Sequence, residues 1–334
     1  FTPPLRLFAG EGDREAVEGA SGRALDAQWF PPMDESWRRA RSVFAALAVP
    51  PVFWLVAFFL VPLGIIGAYS FGYNQSLTAI AIDGNLANYA HAIRPLYLGI
   101  IVKSLWFAAA TTLLCLVVGF PVAIAITFAS EKTKVWLLLL IMLPFWTNLL
   151  IRTYALMAVL RDEGYINMGL GALWSGASHV GAFIGHPLAP FQPLELLHNN
   201  FAVVFGLVYV QLPFMVLPLY AALDRLDRSL LEASLDLGAG HLTTFARVTV
   251  PLAIPGIVSG ILITFIPSIG AYLTPDLLGG PESQMIANVI ERQFHSADDW
   301  PFGAALSFLL MYMTFLAIAV QAIVARGRRG RGRP

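Results

Sequence analysis

Ser229-Leu230-Leu231-Glu232-Ala233-Ser234-Leu235-Asp236-Leu237-Gly238-Ala239-Gly240, followed after a polar run by Val248-Thr249-Val250-Pro251, is the stretch around which this chain is organised. Ser229 to Glu232 has the form of a capping box, in which the Ser229 hydroxyl satisfies the Glu232 amide and the carboxylate reaches back to the Ser229 amide. That predicts a short helix beginning at Ser229. Leu226, Leu230, Ala233 and Leu237 recur on one side of it, and Asp227, Arg228, Glu232 and Asp236 fill the others, so the helix is amphipathic. Gly238 and Gly240, flanking Ala239, suit a left-handed ending. A second helix is expected to resume near Thr243 or Thr244 and to give way at Pro251. Taken alone, such a helix is most often one that lies on a membrane surface.

The surroundings of the stretch are those of a bilayer protein. The 334 residues are 57% hydrophobic and 13% charged, with a mean hydropathy of +0.68, too apolar for an ordinary soluble domain. Six stretches run for the ~20 residues of a spanning helix with almost no charge: 43–71, 104–130, 135–160 (interrupted by Arg152), 201–223, 251–275 and 301–325. The expected fold is therefore an all-α membrane protein with six transmembrane helices. Pro62, Pro121, Pro144, Pro213, Pro218 and Pro255 fall inside these stretches, where neighbouring helices can satisfy the freed backbone groups. Gly256 and Gly260 form a small-xxx-small pair suited to close helix packing.

Basic residues set the expected orientation. Arg38, Arg39 and Arg41 precede the first span, Lys132 and Lys134 lie in the second connection, and Arg225, Arg228 and Arg247 lie between the fourth and fifth. Arg326, Arg328, Arg329, Arg331 and Arg333 follow the last span, whereas the opposite connections hold only Arg94, Lys103, Arg161 and Arg292. The positive-inside rule then places both termini and the Glu232 loop, residues 224–250, in the cytoplasm. The expected organisation is a cytoplasmic extension over 1–36, with the six-helix domain over 37–325 and a basic tail over 326–334. Trp37 suits an interfacial anchor, and the arginine tail suits anionic lipid rather than nucleic acid. No secretory signal is visible, and a start at Phe1 is that expected of a trimmed or processed chain.

Catalytic signatures are missing from the sequence: it has no Gly-x-x-x-x-Gly-Lys-Ser/Thr phosphate loop, no Gly-x-Gly-x-x-Gly and no Gly-x-Ser-x-Gly. Its six histidines lack metal-ligand spacing, including His179 and His186 in one connection, and Cys115 reads as a small core residue. No catalytic residue, metal site or bound cofactor is expected in this chain.

The loop resembles the EAA loop of the membrane subunits of bacterial ABC importers. Glu232, Ala233, Gly238, Val248, Val250 and Pro251 match its pattern, and Ser234 replaces the second alanine. Further segments are similar to the permease subunits of spermidine/putrescine transporters. They are Pro144-Phe145-Trp146-Thr147-Asn148-Leu149-Leu150-Ile151-Arg152-Thr153-Tyr154, then Gln211-Leu212-Pro213-Phe214-Met215-Val216-Leu217-Pro218-Leu219-Tyr220, then Gly270-Ala271-Tyr272-Leu273-Thr274-Pro275-Asp276-Leu277-Leu278-Gly279-Gly280, with a looser match at Asp299-Trp300-Pro301-Phe302-Gly303. The similarity runs over about 85–325, and the connection at 175–193 is longer than in the usual relative.

This resemblance implies a MetI-like permease of the bacterial inner membrane, forming half of a pore with a second homologous or identical permease. Two separate ATPase subunits would consume ATP and Mg, and a periplasmic or surface solute-binding protein would deliver substrate. Ser229, Leu230, Glu232, Ala233, Ser234, Leu235, Asp236, Leu237, Gly238 and Ala239 would form the coupling helix that docks into an ATPase. A polyamine path needs carboxylates for ammonium groups and aromatic faces for cation-π contact. Trp146, Tyr154, Tyr272, Asp276 and Glu282 are the candidates, although a solvated carboxylate or an interfacial anchor is an equal reading for each. Arg152 would repel a polyamine, and a structural ion pair or carbonyl contact is expected for it instead. Related permeases carry other organic solutes or metal complexes. An ion-coupled secondary transporter would show midplane acids, but most acids here lie in connections.

Overall fold

The computed structural model describes residues 41–76, 79–183 and 189–330. The expected extension over 1–36, Trp37, Arg38, Arg39 and the last four residues of the tail lie outside them. The chain divides after Ile65 into two compact units. In the first, α1 (Arg41–Leu55) passes through a π-turn (Val56–Leu60) into α2 (Val61–Tyr69), which crosses into the second. Pro62 explains the local widening, because it lacks the N–H of a regular turn and its ring crowds the carbonyl four residues earlier. Trp54 stacks on Phe58 at 4.5 Å on this apolar helix.

The second unit continues with β1 (Gly72–Ser76) and β2 (Ala79–Ile82), then α3 (Ala87–Ala92), α4 (Pro95–Thr127), α5 (Glu131–Met142), α6 (Leu149–Leu160) and α7 (Tyr165–Phe183). It is completed by α8 (Asn200–Leu223), α9 (Arg228–Asp236), α10 (His241–Thr244), α11 (Val250–Leu252), α12 (Ile254–Ile269), α13 (Leu273–Leu278), α14 (Ile286–His295) and α15 (Trp300–Gly330). The β1–β2 hairpin is an addition to the expected all-α fold. It is fastened through the Asn74 side chain, which donates to Asp298 O at 3.2 Å.

Among the described residues, four helices are long and apolar enough to cross a membrane, and up to six if each of two bent pairs is one span. The expected six spans are reached when each bent pair is one span. The third span bends by 98° between Glu131–Trp146 and Leu149–Ser178. Thr147 is extended there, and Asn148 starts a fresh helix by accepting from the Leu150 amide at 2.8 Å. The fifth bends by 66° between His241–Leu252 and Ile254–Ile269. Its apolar helix ends at Ile269, leaving Tyr272 and Asp276 beyond it. The second span begins earlier than expected, at Pro95, so Lys103 lies on the helix, where Nζ donates to Glu282 O at 2.6 Å. In the 175–193 connection, residues up to Phe183 continue α7.

The core is a three-helix contact among α4, α8 and α12. Cys115, Phe120, Ala123 and Ile126 of α4 meet Met215, Val216, Leu219 and Leu223 of α8, with Ala253 at the α12 end. Gly256 and Gly260 are the points of closest approach. A Cβ on Gly256 would stand 2.7 Å from Pro218 O, and one on Gly260 would stand 2.7 Å from Met215 Sδ. The small-xxx-small reading is thus met by α12 lying directly on α8.

Candidate functional site

The α9 helix starts one residue earlier than the sequence suggests, and its cap is Asp227. Asp227 Oδ1 accepts from the Ser229 amide at 3.0 Å, so the capping box expected at Ser229 and Glu232 does not form. An aspartate at this position satisfies an orphan N–H and adds a charge favourable to the helix dipole. The Ser229 amide, and then its hydroxyl, hold the Asp227 carboxyl below its ordinary range against weaker desolvation. At the other end Gly238 has φ +84°, the left-handed cap its identity implied. Ala239 N then donates to Ser234 O at 3.1 Å. α10 begins at His241, ahead of Thr243 and Thr244, with Gly240 as its N-cap.

Pro251 also behaves differently from the expectation. The helix widens into a π-turn over Phe245–Thr249, carries Pro251 within α11 and breaks only at Ala253. Widening before a proline relieves the clash with the preceding turn, so the chain can stay helical through it.

The apolar positions Leu230 and Leu237 of α9 face away from the body. Leu231 and Ser234 are the half-buried positions, while Leu230 is 47% and Leu237 89% exposed. Leu242, on the next helix, is 84% exposed. Ala233, Glu232, Leu235 and Asp236 are also exposed. The arrangement leaves an apolar ridge with acidic neighbours facing outward.

Polar contacts anchor the loop to the spans. Arg228 Nη2 donates to Thr127 O at 3.3 Å, and its guanidinium lies 5.6 Å from the Phe128 ring centroid. Ser234 Oγ is 3.0 Å from Thr244 Oγ1. Lys134 bridges Asp224 at 2.8 Å and Glu131 at 3.6 Å, joining the start of α5 to the end of α8. α9 is thus tied directly to the end of α4 and to α10, and a separate bridge ties α5 to α8.

On the face away from this loop, the candidate path residues fall into two groups. Trp146 sits in the short turn before the third-span break and is 77% exposed, and Tyr154 on α6 is 55% exposed. Tyr272 and Asp276 lie together at the start of α13, after the fifth span has ended. Desolvation, then the Asp276 and Glu291 carboxylates, push the Tyr272 hydroxyl up in pKa, and Arg292 opposes them. Asn288 Nδ2 holds Tyr272 O at 3.1 Å. Glu282 is exposed in a separate turn, engaged through its carbonyl by Lys103.

Asp276 lines a cavity of about 280 Å³ with His198, Asn288 and Arg292. His198 also borders a cavity of about 480 Å³ lined by Arg161, Asp162, Glu163 and Glu195. Sequence reading missed this second set because its members come from two distant connections. The nearest available signal was the Asp162-Glu163 pair directly after an apolar helix. Arg152 contradicts its expected pairing, since Nε and Nη1 are buried without a hydrogen-bond partner among the described residues. Those residues include no group of three or more His, Cys, Asp or Glu able to hold a metal ion.

A bundle of bent apolar spans with an anchored amphipathic loop helix is the architecture of a transporter's membrane component. The chain belongs to the family of binding-protein-dependent transport system inner membrane components, whose model matches residues 38–330. It is a multi-pass inner-membrane permease of an ABC importer, and it is the non-catalytic subunit, with ATP hydrolysis on a separate chain. The spermidine/putrescine transport system permease protein PotB of Salmonella typhimurium is 40% identical over 267 residues, covering 80% of this chain and 88% of that protein. Its namesake in Escherichia coli K12 is 39% identical over 274 residues, covering 82% and 94%. The fold matches a chain in the crystal structure of a bacterial ABC transporter involved in the import of the acidic polysaccharide alginate. That match has a TM-score of 0.60 at 15% identity and covers 87% of this chain and 97% of the other.

Proposed function

We propose that this chain is a permease subunit for polyamines of the spermidine and putrescine type, coupled to its ATPase through the 229–239 segment. The outward ridge of Leu230 and Leu237 on α9, continued by Leu242 on α10, with α9 bonded to the end of α4 and to α10, is the observation that supports the coupling role. The identity with PotB proteins supports the substrate. In this reading both termini and the loop are cytoplasmic, and two ATPases use ATP and Mg. A second permease completes the pore and a solute-binding protein docks on the opposite face. Rigid-body movement of α9 switches access from one side to the other. Asp276 and Tyr272 receive the ammonium groups, with Trp146, Tyr154 and Glu282 as further contacts along the route.

A second reading, transport of an organic acid, is favoured by one observation. The unpartnered buried nitrogens of Arg152 would welcome a carboxylate and repel an ammonium. Uptake by the complete transporter in proteoliposomes, supplied with its binding protein and either labelled polyamines or labelled organic acids, separates the two. Polyamine uptake that requires ATP is expected, and uptake of acids alone would overturn the polyamine assignment.

A further inference from the structure

Asp276 stands on a helix that carries little support of its own. α13 has 6 residues, and its N-cap Tyr272 makes no side-chain cap bond. Pro275, inside the first turn, has no N–H to add to it. The bond that opens the helix runs from the Asp276 amide to Tyr272 O at 3.1 Å. The direction in which Asp276 points therefore depends on what holds the Tyr272 carbonyl.

That carbonyl is held from a second helix. Asn288 Nδ2 donates to Tyr272 O at 3.1 Å, so the oxygen accepts twice, from the Asp276 amide and from Asn288. The other end of the same side chain, Oδ1, accepts from the Met285 amide at 3.2 Å and caps α14. Asn288 is 1% exposed, so water cannot replace either bond. α14 is a firm base for this grip. The Ile286 amide donates to Ser104 Oγ of α4 at 2.8 Å, and Ile286 and Val289 are buried with Ile101, Phe302 and Leu306.

We propose that Asn288 is a positioning residue for solute. Through Tyr272 O it fixes the turn from which Asp276 lines the cavity of about 280 Å³, whose wall Asn288 also shares. Its Nδ2 is a donor and its oxygen is turned to the Met285 amide, so the ammonium group is left to Asp276. A charge-assisted hydrogen bond weakens steeply with distance and angle, and a carboxylate on a loosened turn would meet the ammonium less often in a productive geometry. This role rests on the assignment of Asp276 as an ammonium acceptor and adds the residue that sets its geometry.

Uptake of labelled spermidine by the complete transporter in proteoliposomes tests it as a double-mutant cycle. Asn288→Ala should raise KM about three- to tenfold, with a smaller change in maximal rate. In an Asp276→Asn background the same change should add less than about twofold, because the group it positions has lost its charge. A merely structural asparagine would give additive effects. Where the alanine gap lowers the yield, Asn288→Leu fills the space without either hydrogen bond and should give the same KM. Hydrogen exchange of the Asp276 amide, which needs no solute, should quicken in Asn288→Ala. A normal KM in Asn288→Ala, an additive cycle or an undisturbed Asp276 amide overturns the positioning role and leaves Asp276 in its own. An unchanged KM in Asp276→Asn overturns both the positioning role and the assignment of Asp276.

Discussion

Ser234 Oγ and Thr244 Oγ1 lie 3.0 Å apart, tying α9 to the segment that leads into the fifth span. Ser234 is the position at which the chain departs from the Glu-Ala-Ala pattern, so the departure adds a contact that alanine could not make. Thr244 is only 6% exposed, which shelters the bond from water. Ser234→Ala should loosen α9 by about 1 kcal/mol. Adding Thr244→Val should then cost less than it does alone, because the bond is already gone. Hydrogen exchange of the α9 amides in both single variants and the double variant measures this. Strictly additive effects would show that the contact contributes nothing.

Gly238 caps α9 at φ +84° with open space around it, so its constraint is the backbone rather than crowding. An L-residue there costs roughly 1–2 kcal/mol. Gly238→Asp adds a charge on the surface proposed to meet the ATPase. Uptake and substrate-stimulated ATP hydrolysis should be lost while membrane insertion is retained, as after deletion of residues 232–237. Full uptake by either variant would remove the coupling role from this loop.

The Asp227 cap gives the loop a pH dependence with a definite sign. Its folded-state pKa is lowered, so its stabilisation is present above the ordinary value of about 3.8 and is lost as pH falls through the folded value. Exchange protection of the Ser229 amide should therefore be steady near neutrality and fade below pH ~4. Asp227→Asn should flatten that acid limb while keeping most of the cap, since asparagine also accepts from the backbone. An unchanged limb in Asp227→Asn would assign the transition to another group.

Gly256 and Gly260 set the distance between α12 and α8. Leucine at either place must push against Pro218 O or Met215, so a loss of at least about 1–3 kcal/mol is expected. Thermal unfolding of the purified variants should show it, with Gly260→Ala milder than Gly256→Ala. The flexible Met215 sulfur can yield, whereas the carbonyl opposite Gly256 cannot.

At the other face, Asp276→Asn keeps the shape of the cavity but removes its negative charge. For a cationic solute, KM for uptake should rise about tenfold, in line with the loss of one charge-assisted hydrogen bond. For an anionic solute KM should fall. Measurement with both solute classes gives the sign directly.

Much of the span pattern was legible in sequence because apolar runs and arginine placement need no tertiary knowledge. The cap at Gly238 was equally legible, since a left-handed residue is written in its identity. What escaped were features decided by competition between neighbours. Asp227 took the capping role from Ser229 because its carboxylate could reach the Ser229 amide first. Leu230 and Leu237 formed an apolar stripe, but periodicity alone does not say whether a stripe faces its own chain or a partner. The 98° break was carried by Thr147 and Asn148, two polar residues inside a run that composition read as a single span. The cavity walls around Asp276 combine α13, the turn after it, α14 and His198 ahead of α8, which no local pattern could join.

That break has a consequence for the surroundings of the protein. From Glu131 to Trp146 the helix rises only about 24 Å, so the opened turn lies within the depth of a membrane. Peptide groups freed at that depth are not tolerated against hydrocarbon and must be screened by protein or water. The side of the molecule bearing Trp146 and Asn148 is therefore expected to face protein or water rather than the oil of the bilayer.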